Sequence, residues 1–109
     1  MELMSNSIRN PKAPVLVIGG AGVDIVGRLN GELSLGSSTP ANIRTSFGGI
    51  ARNVAENLAR LGHAVDLITV VGFDEVGDQL IDSLCEAGVN VRGIDRNREY
   101  STGAYIGIV

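Results

Sequence analysis

The sequence predicts an α/β fold, and three observations predict it. Two apolar runs end in glycine, Pro14–Gly20 (PVLVIGG) and Ala64–Gly72 (AVDLITVVG), as buried parallel strands do. Two segments carry helical periodicity, Ile50–Leu61 and Asp74–Glu86. Strand-like and helix-like segments also alternate along the chain, which is the signature of the class.

The elements follow in order. Residues 1–13 are polar with no continuous apolar core, so they read as a flexible tail and not as a signal peptide. Pro14–Gly20 is expected to be a fully buried parallel strand. The stretch from Ala21 to Gly49 contains no helical pattern, and glycines at 22, 27, 31 and 36 with Pro40 mark turns. Within it Ala41–Phe47 alternates, with Ile43, Thr45 and Phe47 on one face. Short antiparallel strands forming a flap are expected there.

Ile50–Leu61 is predicted as a helix with Val54, Leu58 and Leu61 as its apolar stripe, flanked by Ala51 and Ala55. Gly62 stops it. Asp74 is expected to cap the second helix, which carries Val76, Leu80 and Leu84 on one stripe and ends at Gly88. Cys85 is expected to pack in the core, and His63 to sit in a solvated loop. Val89–Ile94 is predicted as a third strand and Ser101–Val109 as an extended run. A parallel sheet needs cover on both faces, which two helices cannot supply. Together with a chain ending inside an apolar run, this predicts that residues 14–109 are part of a larger domain.

At 109 residues, 44% apolar and with a net charge of −3, the composition is globular and has no basic footprint for nucleic acid or an anionic membrane. No apolar run is long enough to span a bilayer. The single cysteine, Cys85, permits no internal disulfide, which suits the cytoplasm. The run VIGGAGVDIVG invites a dinucleotide reading. It fails because Ile25 stands where the third glycine is required and no helix follows. No His, Cys, Asp and Glu set has metal-ligand spacing, and no nucleophile–base pair is visible.

The candidate site begins at FGGIARNVAENLARLG, Phe47–Gly62. Gly48 and Gly49 permit close backbone approach and lead into a helix N-terminus. Asn53 lies one turn in, offering a donor and an acceptor. Asp24 lies beyond the first strand, at the sheet edge where ligands of open α/β folds bind. A carboxylate, an amide and exposed backbone suit a polyol. Each residue also has a plain local alternative, a turn for the glycines and Asp24 and a surface position for Asn53.

At these residues the sequence resembles the ribokinase-like (PfkB) family of carbohydrate and nucleoside kinases. Gly48, Gly49, Ala51, Asn53, Ala55, Gly62 and Gly72 match its first signature in register, and Gly72, Asp74 and Gly77 match a Val-Gly-x-Asp-x-x-Gly stretch. The resemblance implies a three-layer α/β/α sandwich, here its N-terminal portion, with a small β flap. It implies transfer of the γ-phosphate of ATP, assisted by Mg²⁺, to a hydroxymethyl group. By position, Asp24, Gly49 and Asn53 would hold sugar hydroxyls and Gly48 would allow close approach. It also implies a homodimer formed through the flap.

Ile50 stands where ribokinase proper has lysine. Arg52 before Asn53 is most similar to the pseudouridine kinase branch, so a nucleoside is the expected substrate and a free sugar the alternative. The second signature, Gly-Ala-Gly-Asp, which supplies the catalytic base and anion hole, does not occur in these residues. The chain is therefore expected to be the substrate-binding half of a kinase, with no catalytic, ATP-binding or metal-binding residue of its own. The alternative is a non-catalytic module that binds a polyol or nucleoside, or a truncated gene product without kinase activity.

Overall fold

The computed structural model describes residues 13–109, so nearly all of the expected tail lies outside the described residues. Six strands and two helices follow in order: β1 (Val15–Ile18), β2 (Gly22–Leu29), β3 (Ala41–Gly48), α1 (Ile50–Arg60), β4 (Val65–Gly72), α2 (Glu75–Ala87), β5 (Ile94–Asn97) and β6 (Ala104–Ile108). They make two three-stranded sheets. A parallel body sheet has the order β1-β4-β5, and a flap has the order β3-β2-β6.

The body is built on β4, whose side chains alternate between two faces. Val65, Leu67 and Val71 are buried on one face against Ala51 and Ala55 of α1, Leu80 and Leu84 of α2, and Val89. Each fully buried aliphatic side chain contributes about 1.5–3 kcal/mol. The alternate residues Ile68 and Val70 are exposed. Both helices thus lie on one side, and among the described residues nothing covers the opposite side of the body sheet. Of the three expected layers, the described residues form the sheet and one helical layer.

Asp74 caps α2 by accepting a hydrogen bond from the Gly77 N–H at 2.8 Å, and Gly88 ends that helix in a left-handed conformation at φ 95°. His63 is exposed in the turn after α1.

Several expectations are corrected. The first strand is not buried: β1 lies at the sheet edge, and Leu16 and Ile18 are exposed because none of the described residues covers their face. Val89–Ile94 is not a strand. After Gly88 the chain turns inward, so Val89 plugs the core while Asn90 makes only an isolated bridge to Asp66. Pairing with β4 begins at Ile94. The buried stripe of α1 runs through Ala51, Arg52 and Ala55, with Leu58 half-buried, while Val54 and Leu61 are exposed. Small residues face the sheet because the helix packs close to it. Cys85 is exposed, since burying Leu80 and Leu84 turns the next position outward. Gly22 and Gly27 lie inside β2 and not in turns. The flap is not wholly antiparallel either. β3 pairs antiparallel with β2, whereas β6 pairs parallel, with Asp24 opposite Tyr105.

Candidate functional site

Gly49 precedes α1 with φ 98° and ψ 137°, a conformation that side chains rarely tolerate. A Cβ there would also sit 2.7 Å from Ala21 Cα. The Gly19–Ala21 turn after β1 therefore packs directly on the start of α1, and the Arg52 N–H donates to the Gly20 carbonyl at 3.2 Å. One of the unpaired N–H groups of the helix start is consumed in this way.

Asp24 sits in β2 opposite Ser46, and its half-buried carboxylate leans over Gly48. A Cβ on Gly48 would lie 2.7 Å from Asp24 Cγ, so the space left by Gly48 is taken by that carboxylate. The fold thus brings Asp24, Gly48 and Gly49 together at the mouth of α1. Asn53 lies one turn into the helix and is exposed, its N–H bonded to the Gly49 carbonyl at 2.9 Å. A carboxylate accepts and an amide can donate, which is a pairing suited to hydroxyl groups.

Sequence reasoning assigned no binding or packing role to Arg52, the most unusual residue of this region. It is only 7% exposed. Its Nη1 donates to Glu56 Oε2 at 2.6 Å and to Asn53 Oδ1 at 3.2 Å, and its guanidinium lies 5.9 Å from the Phe47 ring centroid. Glu56 is also held by Arg60, whose Nη2 donates to Oε1 at 3.0 Å. Burial pushes the Glu56 carboxyl up. The Arg60 hydrogen bond and the neighbouring Arg52 charge and hydrogen bond outweigh it, so the net displacement is downward.

A second network ties flap to body. Asp74 accepts from the Thr102 hydroxyl at 2.6 Å and from the Thr102 N–H at 2.8 Å, while the Thr102 hydroxyl accepts from the Gly72 N–H at 3.0 Å. These bonds, led by that of the Thr102 hydroxyl, hold the Asp74 carboxyl below its ordinary value. Arg96 clasps the same corner by donating to the Gly72 carbonyl at 2.9 Å and to Asp78 Oδ1 at 2.7 Å. Asp74 was legible as a cap. Thr102 and Arg96 were not, because their partners are distant in sequence.

The strand register puts Asp24, Val26 and Arg28 on one flap face with Asn42, Arg44, Ser46 and Tyr105. A cavity of about 540 Å³ lies by Val26, Arg28, Asn42 and Arg44. Among the described residues neither arginine has an ion-pair partner. The other flap face is apolar, with Ile43, Ile106 and Ile108 exposed. Among the described residues no group of three or more His, Cys, Asp or Glu could hold a metal ion, and no helix is long and apolar enough to cross a membrane.

Comparison with known proteins places this geometry. The model of the pfkB family carbohydrate kinases matches residues 12–109. An uncharacterized sugar kinase of Escherichia coli K12, YeiI, is 40% identical over 93 residues, which cover 85% of this chain and 26% of that protein. The pseudouridine kinase of the same organism is 38% identical over 77 residues, 71% of this chain and 25% of the relative. Among solved structures, the ATP-bound fructokinase of Xylella fastidiosa superposes with a TM-score of 0.73 at 34% identity, covering 87% of this chain and 29% of that one. The chain spans less than a third of the length of each of these proteins. Its two sheets and two helices are part of the ribokinase-like α/β architecture that such kinases share. The chain belongs to the pfkB family of carbohydrate kinases.

Proposed function

We propose that this chain supplies the acceptor-binding part of an ATP-dependent kinase that phosphorylates the hydroxymethyl group of a nucleoside, one resembling pseudouridine. The observation that carries the reading is the Asp24 carboxylate held over Gly48 at the mouth of α1, with the Asn53 amide one turn away. The carboxylate would accept from one sugar hydroxyl and the amide would donate to a neighbour, with Gly49 keeping the backbone low beneath them. A nucleoside is favoured over a free sugar because the same flap face continues past Asp24 through Val26 and Arg44 into a cavity with room for a base. The similarity to pseudouridine kinase supports the same choice.

ATP and Mg²⁺ are the cofactors this reading requires. The described residues offer no metal-ligating cluster, so no step of phosphoryl transfer is assigned to them. Their part is to bind and orient the acceptor, which is much of what such catalysis needs. We place the protein in the cytoplasm, and as a homodimer through the apolar flap face, where Ile43, Ile106 and Ile108 would be covered. The deciding experiment compares kcat/KM of the full-length gene product with ATP and pseudouridine, uridine, adenosine, ribose or fructose. Pseudouridine or another nucleoside should be best. Ribose or fructose as the best acceptor would reverse the assignment, and a full-length product with no phosphotransfer would leave a binding module.

A further inference from the structure

We propose that Arg52 is a positioning residue that fixes which end of the Asn53 amide faces the substrate. The proposal rests on the reading of Asn53 as a substrate ligand. An arginine side chain carries donors only, so the Asn53 atom turned toward it has to be the carbonyl oxygen. Arg52 Nη1 meets Asn53 Oδ1 at 3.2 Å, and the Asn53 NH₂ is left for the open side of the helix. Without such a neighbour an asparagine amide can turn over and offer either donor or acceptor. With it, Asn53 becomes a donor toward any ligand, while Asp24, as a carboxylate, is an acceptor. The pair then selects a ligand that gives a proton at one point and receives one at the next, as two adjacent hydroxyls do. It disfavours a carboxylate or an ammonium group, each of which satisfies only one of the two.

Two features argue that Arg52 is more than half of a helical ion pair. Its side chain is 9% exposed, where a helix-surface pair with Glu56 would leave it in water. Its Nε is also buried with no hydrogen-bond partner among the described residues. A buried guanidinium with an orphaned donor is a poor device for stability alone. Glu56 completes the arrangement. Held by Arg60, it grips Arg52 Nη1 at 2.6 Å and keeps that nitrogen beside Asn53.

The test is a double-mutant cycle on the full-length protein, pairing Arg52→Met with Asn53→Ala and reading KM and kcat for pseudouridine and for its 2′-deoxy and 3′-deoxy analogues. Arg52→Met should raise KM for pseudouridine about tenfold and narrow its preference over one deoxy analogue. In the Asn53→Ala background the same change should alter KM by less than about twofold. Arg52→Lys, which retains a donor and a charge, should restore part of the preference and guards against a failure of Arg52→Met to fold. Equal losses in both backgrounds would overturn the proposal. If no nucleoside or sugar is phosphorylated, the functional reading fails and the amide orientation is still testable by NMR. The Asn53 NH₂ protons should show at most a weak contact with the Arg52 guanidinium protons, and a strong contact would overturn the proposal.

Discussion

Replacing Thr102 with valine removes a single hydroxyl from the corner where flap meets body. Valine matches threonine in shape, so no cavity opens, but the change severs two bonds. The Gly72 N–H loses its acceptor at 3.0 Å, and Asp74 loses the donor at 2.6 Å. Gly72 is buried and Thr102 is only 7% exposed, so water cannot readily replace the hydroxyl. Leaving that N–H unpaired costs about 1–3 kcal/mol, a large share of the roughly 5–15 kcal/mol that holds a domain together. Urea unfolding of the parent, Thr102→Val and Thr102→Ser would read the difference as a shift in midpoint at constant slope. Thr102→Ser retains the hydroxyl and should stay closer to the parent. A Thr102→Val protein within about 0.5 kcal/mol of the parent, or a serine variant as damaged as the valine one, would refute the reasoning.

The same corner sets a pH dependence. The Asp74 carboxyl is held below its ordinary 3.8, so its stabilisation is present above that value and is lost as pH falls through the lowered one. Acid unfolding of Thr102→Val, which lacks the leading cause of the shift, should depend less steeply on pH below about 4. Gly49→Ala should destabilise by at least about 1–3 kcal/mol, from a strained φ and contact with the Gly19–Ala21 turn; thermal melting checks it. In the full-length protein, Asp24→Asn should weaken acceptor binding by about 1.5–3 kcal/mol, roughly tenfold or more, and leave ATP binding largely intact, as calorimetry of both ligands would read. Unchanged acceptor affinity would mark Asp24 as a strand residue alone.

What could be read in advance was local. The Asp74 cap and the Gly88 stop are encoded within a few residues, and both helices lie within a residue or two of expectation. The apolar run of β4 declared a buried strand. The β1 run declared the same and was misleading, because burial depends on what lies across the sheet and not on the strand's own sequence. For helix α1 the large residues Val54, Leu58 and Leu61 are the expected stripe, with the alanines flanking it, whereas close packing on the sheet buries Ala51 and Ala55 and leaves Val54 and Leu61 exposed. At the candidate site, sequence nominated Asp24, Gly48, Gly49 and Asn53. It could not say that Gly48 makes room for Asp24, since that contact depends on strand register. Arg52 carried a usable signal, a charge next to Ala51 and three positions before Ala55, which puts it on the helix face that packs.

The parallel partnership of β2 and β6 has a consequence for how the protein is made. Asp24 and Tyr105 are about 80 residues apart along the chain and neighbours in the flap. The body, with its β1-α1-β4-α2 succession, can gather from contacts nearer in sequence. The third flap strand is added last on the ribosome, because β6 is synthesised after every element of the body. On the ribosome, a nascent chain that has not yet released Thr102 would carry β2 and β3 as a hairpin with an open strand edge. The latch at Asp74 would meanwhile stand without its partner. Pausing translation just before and just after that point, with limited proteolysis of the stalled chains, should therefore show whether protection of the β2–β3 hairpin changes once β6 is available to pair with it.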